Sequence, residues 1–361
     1  VPSSYENLNL FMNNKKNIVI KLGTTSIIEN DILNVDFIDS LAINIKTLKS
    51  LGINTLIVTS GAVQLGANEL NLKTRPTNLK SLQVASSLGQ IELINSYKNI
   101  FNKHGLKVGQ VLMSKNVLED RSQFVNTTEA LNELINQDII PVINENDIVA
   151  TEELKFGDND RLSAIVAIIT KADRLIIVTD QEGLFNSDPA FSNEARKIDY
   201  IEYDSEELTN LIDKSSSGGG MGGFSTKIMA AQMAGFSGIP TQIISWNNDV
   251  LVEVLNEKKI GTFIKPSIKK VKLKKLWIAY GLQVTGKIII DDGAVDAINS
   301  DASLLSIGIK QILNDFDVDE GVEIFDQRDK IVAKGLSKLS SREISKESNE
   351  IVVHKDNLLI L

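Results

Sequence analysis

NDRLSAIVAIITKADRLIIVTD, residues Asn159 to Asp180, contains two apolar patterns of different period. The first pattern has helical spacing and follows Asn159, a residue suited to cap a helix; its apolar members are Leu162, Ile165, Val166 and Ile169. The second, Arg174–Thr179, is a nearly continuous apolar run, which is typical of a strand covered on both faces. The stretch therefore predicts a helix followed by a buried strand.

The same alternation extends from Ile18 to about Ile264. Further candidate strands are Ile18–Leu22, Thr55–Thr59, Lys107–Met113, Ile139–Ile143 and Thr241–Ile244. One more helix face is formed by Ile38, Leu41, Ile45 and Leu48, and Gly52 is placed to end that helix. We expect an α/β fold, an open αβα sandwich with a mainly parallel sheet, whose ligands bind at the carboxyl ends of the strands.

Composition limits the classes of function that this chain can have. Its 361 residues allow one large domain or two ordinary ones, and the formal charge of −9 argues against a general polyanion binder. The chain has no cysteine and only two histidines, His104 and His354, so thiolate chemistry is excluded and a histidine-based metal site or triad is improbable. No apolar stretch approaches the ~20 residues of a membrane span, and we expect a cytoplasmic protein. The polar residues 1–14 are expected to be a disordered extension.

A lysine-rich segment broken by Pro266 predicts a domain boundary. We expect a main domain over residues 15–264, a linker over 265–272 and a smaller domain over 273–361. Short candidate strands with turn signals predict a small barrel-like fold for the last of these. They are Gly286–Ile290, Gly321–Asp326, Ile331–Gly335, Ile351–His354 and Leu358–Leu361, with one helix at Gly293–Asn299.

A polar, glycine-rich run, Ser215–Gly220, is followed by the segment Gly222–Lys227. Glycines allow close approach of a phosphate, and the following sequence predicts a helix with Lys227 on its first turn. The order Gly-Lys-Ser/Thr of a Walker A loop is absent, because the lysine follows Ser225-Thr226. Taken alone, the run fits a flexible linker as well as a phosphate loop.

Polar residues follow several candidate strands. Lys21 and Ser60-Gly61 end two of them, while Asn144–Asp147 and Thr179-Asp180 end two others. The carboxylate and amide oxygens of Asn144–Asp147 are suited to binding an α-amino group. An Asx turn without a role in ligand binding would account for the same residues. Asn159 and Asp160 open the helix described above, where capping alone would account for them.

Taken in order along the chain, these motifs resemble those of glutamate 5-kinases, members of the amino acid kinase superfamily. The motifs are Lys21–Thr24, Val58–Ala62, Pro141–Asp147, Gly157–Asp160, Thr179-Asp180 and Gly222–Lys227. Single motifs are weakly specific, but the ordered set covers the chain from Ile18 onward. The segment from about Leu273 resembles the PUA domain that many of these kinases carry.

The resemblance implies roles for individual residues. Lys21 and Lys227 would contact the phosphates of ATP, and Asp160 would orient both lysines. L-Glutamate would bind at Ser60, Asn144, Asp147 and Asn159. ATP would also bind at Thr179, Asp180, Met221, Gly222, Gly223, Phe224, Ser225 and Thr226. Met221 stands where a threonine is common and Phe224 where a methionine is common.

The implied reaction phosphorylates the glutamate side chain with ATP and Mg²⁺, the first step of proline synthesis. The resemblance also implies inhibition by proline and a dimeric or tetrameric assembly. As a separate hypothesis, we place the neighbourhood that senses proline at the loop residues between Lys115 and Thr128, together with Glu152 and Glu153. Other enzymes of the fold, such as acetylglutamate or carbamate kinase, are the nearest alternatives. RNA binding by the PUA domain is another, although residues 273–361 hold 11 basic and 15 acidic side chains, a net of −4.

Overall fold

The computed structural model describes residues 16–118, 120–149, 159–187, 194–217, 222–247, 250–255, 260–268, 273–280, 282–345 and 348–360. The chain divides into two compact units. The first comprises Val1–Lys115 with Val125–Lys270, and the second comprises Asn116–Phe124 with Val271–Leu361. The expected extension, residues 1–14, lies outside the described residues. In the described residues, no helix combines the length and apolar character that crossing a membrane requires.

The strands of the first unit are β1 (Lys16–Leu22), β2 (Ile28–Glu29), β3 (Ile32–Leu33), β4 (Ile53–Val58), β5 (Lys107–Met113), β6 (Ile139–Glu145), β7 (Arg174–Thr179), β8 (Leu184–Phe185), β9 (Lys197–Ile198), β10 (Tyr200–Glu202), β11 (Thr241–Ser245) and β12 (Thr262–Lys265). Eight of them form one sheet in the order β10-β12-β11-β7-β1-β4-β6-β5. The strands from β11 to β5 are parallel, and β12 runs antiparallel to β11. The expected mainly parallel sheet is confirmed.

The helices that lie wholly or mainly in the first unit are α1 (Thr24–Ile27), α2 (Val35–Ser50), α3 (Ala62–Glu69), α4 (Leu79–Lys103), α5 (Arg121–Asn136), α6 (Asp160–Ile169), α7 (Glu206–Ser217), α8 (Gly222–Phe236) and α9 (Val250–Leu255). A short 3-10 helix spans Lys115–Leu118. The predicted faces of α2 and α6 are buried, and Gly52 follows α2 with a positive φ of 76°.

Both faces of the central strand β1 are covered. Ile18, Ile20 and Leu22 join one core with apolar residues of α2, α3, α4 and α9. Val19 and Lys21 point to the opposite face, because side chains alternate along a strand, and they are also fully buried. A continuous apolar run is therefore required at β1, and Lys21 is the polar exception to it.

The second unit contains its own sheet and core. Its strands are β13 (Val284–Ile290), β14 (Leu304–Leu305), β15 (Ile309–Ile312), β16 (Gly321–Phe325), β17 (Ile331–Leu336), β18 (Ile351–Val353) and β19 (Leu358–Ile360), with helices α10 (Leu273–Tyr280) and α11 (Asp292–Asn299). Five strands pair in the order β15-β13-β16-β17-β19, and β14 pairs with β18. Buried Ile288, Val322 and Ile324 are central to its core. All five predicted strands and the helix are present, while β14 and β15 were not predicted.

Candidate active site

The carboxyl ends of four adjacent parallel strands carry the candidate residues. In the register, Lys21 of β1 lies between Val58 of β4 and Ile177 of β7, and Val58 lies beside Ile143 of β6. Ser60 follows β4 by two residues, and Asn144 and Thr179 lie at the ends of β6 and β7. Parallel strands that end together bring these side chains to one edge of the sheet, as the sequence predicts.

Two lysines meet one buried carboxylate at this edge. Lys21 Nζ lies 2.7 Å from Asp160 Oδ1, and both side chains have zero exposure. Lys227 Nζ lies 3.3 Å from Asp160 Oδ2, and the Lys227 side chain is 14% exposed. Thr226 Oγ1 also donates to Asp160 Oδ2 at 2.8 Å. Residues from three separate elements, β1, α6 and α8, are thus fixed around one side chain.

The formal charges of these three side chains, Lys21, Lys227 and Asp160, sum to +1, since two ammonium groups lie beside one carboxylate. Such a buried arrangement favours an anion, and the exposed part of Lys227 is the side from which one could arrive. Asp160 is the first residue of α6, where a negative side chain is also favoured by the helix dipole.

The glycine run continues directly into α8. Gly222 and Gly223 are the first residues of that helix, and Phe224, Ser225 and Thr226 are half-buried within it. Lys227 therefore lies on the second turn, so the prediction of the first turn was wrong: the helix begins at the last two glycines. Met221, with residues 218–220, lies outside the described residues.

A chain of side-chain amides forms beside the lysine cluster. Asn159 Nδ2 donates to Thr59 O at 2.5 Å and to Asn144 Oδ1 at 2.7 Å. Asn144 Nδ2 donates in turn to Gln90 Oε1 at 2.7 Å, and the Glu145 N–H donates to Asn144 Oδ1 at 2.9 Å. Asn159 is the N-cap residue of α6, as predicted. Its side chain makes no cap hydrogen bond, however, and is instead held by this amide chain.

Two further predicted acceptor-site residues are buried near these amides. Asp147 Oδ2 accepts a hydrogen bond from Ser86 Oγ. Ser60 Oγ is buried and has no hydrogen-bond partner among the described residues, and a ligand could supply one. A cavity of about 210 Å³ opens beside Asp147, with Ser86 and Gln90 also in its wall.

The turn after β4 depends on a glycine in the left-handed backbone conformation. Gly61 has a φ of 100° and precedes the first residue of α3. Only glycine adopts this left-handed conformation without strain, and the turn carries the backbone N–H groups of Gly61 and Ala62 at the strand end.

The candidate nucleotide side of the edge includes Thr179 and Asp180. Thr179 is half-buried, Asp180 is exposed, and Thr179 Oγ1 donates to Asp180 Oδ1 at 3.0 Å. Among the described residues, no hydrogen bond or ion pair joins Thr179 or Asp180 to the lysine cluster. Of the remaining predicted residues, Gly157, Asp158, Glu152 and Glu153 lie outside the described residues.

Sequence reasoning missed Ser86, Gln90 and Tyr97, which hold the site, and it gave no role to Thr59, although Thr59 lies within the motif Val58–Ala62. Tyr97 OH and Thr59 Oγ1 form a 3.0 Å hydrogen bond, and burial raises the pKa of the Tyr97 phenol although this bond opposes the shift. Ser86, Gln90 and Tyr97 all lie on α4, which we did not predict. Polar residues spaced at helical intervals within an apolar pattern were the available signal.

The chain matches the family model described as "Amino acid kinase family" over residues 16–245 and that described as "PUA domain" over residues 286–356. A glutamate 5-kinase of Prochlorococcus marinus (strain MIT 9301) is 40% identical over 96% of this chain and 99% of the relative. A glutamate 5-kinase of Thermoanaerobacter sp. (strain X514) is 37% identical over 95% of this chain and 97% of the relative. A solved structure of carbamate kinase from Giardia lamblia bound to AMP-PNP has a TM-score of 0.50 at 15% identity, covering 71% of this chain and all of that one. That last likeness concerns the fold alone.

Proposed function

Because the chain belongs to the amino acid kinase family and, within it, to the glutamate 5-kinases, we propose that it transfers the γ-phosphoryl group of ATP to the side-chain carboxylate of L-glutamate. The product is γ-glutamyl phosphate, an acyl phosphate. Its formation would be the first step of proline synthesis.

The observation that carries this proposal is the placement of Lys21 and Lys227 on opposite oxygens of Asp160. Transfer between two anions is opposed by charge repulsion, so catalysis must come from positioning and charge neutralisation. Asp160 holds both ammonium groups in place before the phosphates arrive, which removes the cost of ordering them during the reaction. Lys21 then faces the transferred group, and Lys227 on α8 faces the phosphates beside it.

No general base is needed for this chemistry. The glutamate side chain has a pKa near ~4.3 and is ionised at neutral pH, so it attacks the γ-phosphorus directly. A bond forms from the carboxylate oxygen to phosphorus as the bond to the β,γ-bridging oxygen breaks, and ADP leaves with that oxygen's electron pair. The low histidine content of the chain fits a reaction in which no proton has to be removed.

The amide chain supports binding of the amino acid end of glutamate. The side-chain amide nitrogen of Asn159 donates hydrogen bonds to Thr59 O and to Asn144 Oδ1. The side-chain oxygen of Asn159, Oδ1, is therefore the atom that can accept a hydrogen bond from the substrate. That oxygen and the Asp147 carboxylate are suited to an α-ammonium group. Ser60 Oγ, buried without a described partner, could donate to a carboxylate of the substrate.

Mg²⁺ belongs to the proposal as a companion of ATP. No group of three or more acidic, histidine or cysteine side chains that could hold a metal occurs within the described ranges. In kinases the ion is held largely by nucleotide phosphates, where it would neutralise their charge. The described residues thus do not form a metal cage of their own, and we derive no step through the ion.

The direct test measures phosphoryl transfer from ATP to glutamate in the presence of hydroxylamine, which traps the acyl phosphate as a hydroxamate. Acetylglutamate, aspartate and carbamate serve as competing acceptors. We expect hydroxamate with glutamate and little turnover of the others. Equal or faster turnover of acetylglutamate or carbamate would overturn the assignment in favour of another enzyme of the same fold.

A variant identifies the acceptor site within this assay. Asp147→Ala is expected to raise the KM for glutamate by about 10-fold or more, since a charged partner of the ammonium is lost. The KM for ATP should change little, because Asp147 lies apart from the lysine cluster in the contacts described above. An unchanged KM for glutamate would remove Asp147 from the acceptor site.

We further propose that proline inhibits the enzyme, that it assembles as a dimer or tetramer, and that it acts in the cytoplasm. Titrating activity with proline tests the first point, and insensitivity would contradict it; light scattering tests the second. We do not extend the proposal to RNA, for which retention on RNA at moderate salt would be the evidence.

A further inference from the structure

Helix α4 contributes three polar side chains to the edge of the sheet. Ser86, Gln90 and Tyr97 are four and seven residues apart. At ~100° per residue, Gln90 lies ~40° and Tyr97 ~20° from the direction of Ser86 around the helix axis. The three side chains therefore project from one face of α4.

Each of the three side chains bonds to a residue of the candidate acceptor site or to its immediate neighbour. Ser86 donates to Asp147, Gln90 accepts from Asn144, and Tyr97 bonds to Thr59, which precedes Ser60. None of them was implied by the motifs of the sequence.

The position of α4 is fixed by close packing against α3, the helix that begins at the turn after β4. A Cβ atom on Gly89 would lie 1.9 Å from Ala62 O, and one on Gly66 would lie 1.7 Å from Ala85 O. Both contacts require glycine, so the two helix backbones touch. Gln90 follows Gly89 directly, so the backbone that carries its side chain is held at this contact.

The direction of the amide chain is set by backbone groups at its ends. The Glu145 N–H needs an acceptor, which is Asn144 Oδ1, and Thr59 O needs a donor, which is Asn159 Nδ2. This leaves Asn144 Nδ2 pointing at α4, where Gln90 Oε1 accepts from it at 2.7 Å. Gln90 Oε1 thereby supplies the acceptor for Asn144 Nδ2, and the donors of the amide chain described above each have an acceptor.

We propose that Gln90 is a positioning residue for the acceptor amino acid: it holds Asn144, and through Asn144 it holds Asn159 with its oxygen Oδ1 directed to the substrate ammonium. This inference rests on the proposed function. Gln90 acts through Asn144 and does not touch the reacting atoms, so its effect belongs to glutamate binding and not to the chemical step.

Two variants at this position separate the hydrogen bond from the shape of the side chain. Gln90→Met keeps the length and removes the strong acceptor, while Gln90→Glu keeps an oxygen that accepts from Asn144. We expect Gln90→Met to raise the KM for glutamate about tenfold, the order expected for an unpaired buried amide. The kcat and the KM for ATP should stay within about threefold, and Gln90→Glu should recover most of the loss.

A matched control is Gln137→Met. Gln137 is exposed, bonds to Glu133, and precedes β6 at the end opposite to Asn144. Its kinetics should equal those of the unmodified chain. Thermal melting verifies that each variant is folded. If Gln90→Met does not fold, Gln90→Ala takes its place, with the same expected changes in the KM for glutamate and in kcat.

The outcomes distinguish the inference from the function on which it rests. If the unmodified chain forms no hydroxamate with glutamate, the proposed function fails. If the unmodified chain does form hydroxamate, the function stands and three results would each overturn the positioning role of Gln90. The KM for glutamate could be unchanged in Gln90→Met, or kcat could fall by the same factor as the KM rises. The third such result is a KM for glutamate in Gln90→Glu that is as high as the KM in Gln90→Met.

Discussion

Replacing Asp160 by asparagine tests the buried charge cluster most directly. The substitution keeps the shape of the side chain and removes its charge, so Lys21 remains fully buried with no carboxylate 2.7 Å away. The Lys227 ammonium, 3.3 Å from the side chain of residue 160, is then a second positive charge near Lys21.

The magnitude follows from burial as well as distance. At an effective dielectric constant of ~20, Coulomb's law gives an attraction of roughly 6 kcal/mol between unit charges 2.7 Å apart. Most of this attraction offsets the free energy that is needed to remove the two charged groups from water. Removing one partner of a buried pair costs about 3–5 kcal/mol, because the remaining charge stays buried without the partner that offset its desolvation. We expect Asp160→Asn to lower the free energy of unfolding of the first unit by that amount.

Asp138→Asn provides the control. Lys49 Nζ lies 2.7 Å from Asp138 Oδ2, the same separation, but these side chains are 35% and 70% exposed. Solvent screening limits such a pair to about 0–1 kcal/mol. Comparing the two substitutions therefore isolates the effect of burial from that of distance.

The assay is chemical denaturation followed by tryptophan fluorescence. The chain has two tryptophans, one in each unit, so a Trp277→Phe background leaves Trp246 as the reporter of the first unit. Trp246 packs on Phe37 with ring centroids 4.7 Å apart, and its emission should change on unfolding. A loss below about 1 kcal/mol for Asp160→Asn, equal to that of Asp138→Asn, would refute the reasoning.

Three further predictions concern separate parts of the first unit. Lys227→Ala should lower kcat for hydroxamate formation by about 100-fold or more, with little change in the KM for glutamate, because a preorganised charge on the phosphates is lost. Burial raises the pKa of the Tyr97 phenol, so the unfolded chain loses the phenol proton at a lower pH than the folded chain does. The stabilisation that is present below about pH 10 is therefore lost as the pH rises toward the folded-state pKa. Tyr97→Phe should remove this loss and so make the free energy of unfolding fall less steeply at alkaline pH. Gly89→Ala should lower the free energy of unfolding by about 1–3 kcal/mol, measured by denaturation, because the new methyl would lie 1.9 Å from Ala62 O.

Each of these predictions has a result that would contradict it. Wild-type turnover by Lys227→Ala would remove that lysine from the phosphate site. An alkaline slope that Tyr97→Phe leaves as steep as before would exclude the buried phenol as its source; Tyr200→Phe, at a tyrosine that is 54% exposed, is the comparison. Gly89→Ala should cost more than Gly293→Ala, whose new methyl would meet only an ordinary contact at 3.5 Å, and equal costs would contradict the packing argument.

The strands β1, β6 and β7 were predictable because most of their residues are buried on both faces, whereas β5 at the sheet edge is partly exposed. Lys107–Met113 and Arg174–Thr179 have the predicted bounds, and β1 and β6 differ from prediction by two residues at one end. Continuous apolar runs of this kind have few alternatives in an α/β fold. The long helix α4 was missed, since its apolar pattern is interrupted by serine, glutamine and glycine.

The sequence by itself determined the order of the elements, the polar residues at the strand ends and the presence of a glycine run before a lysine. These depend on neighbours along the chain, through period, capping and turn chemistry. Only the tertiary structure decided that Lys21, Asp160 and Lys227 share one buried contact and that the Asn159 side chain bonds within the amide chain and makes no cap hydrogen bond. Those partners are separated by up to 206 residues, from Lys21 to Lys227. Their meeting depends on the parallel register and on the close approach of α3 and α4, which a local pattern does not contain.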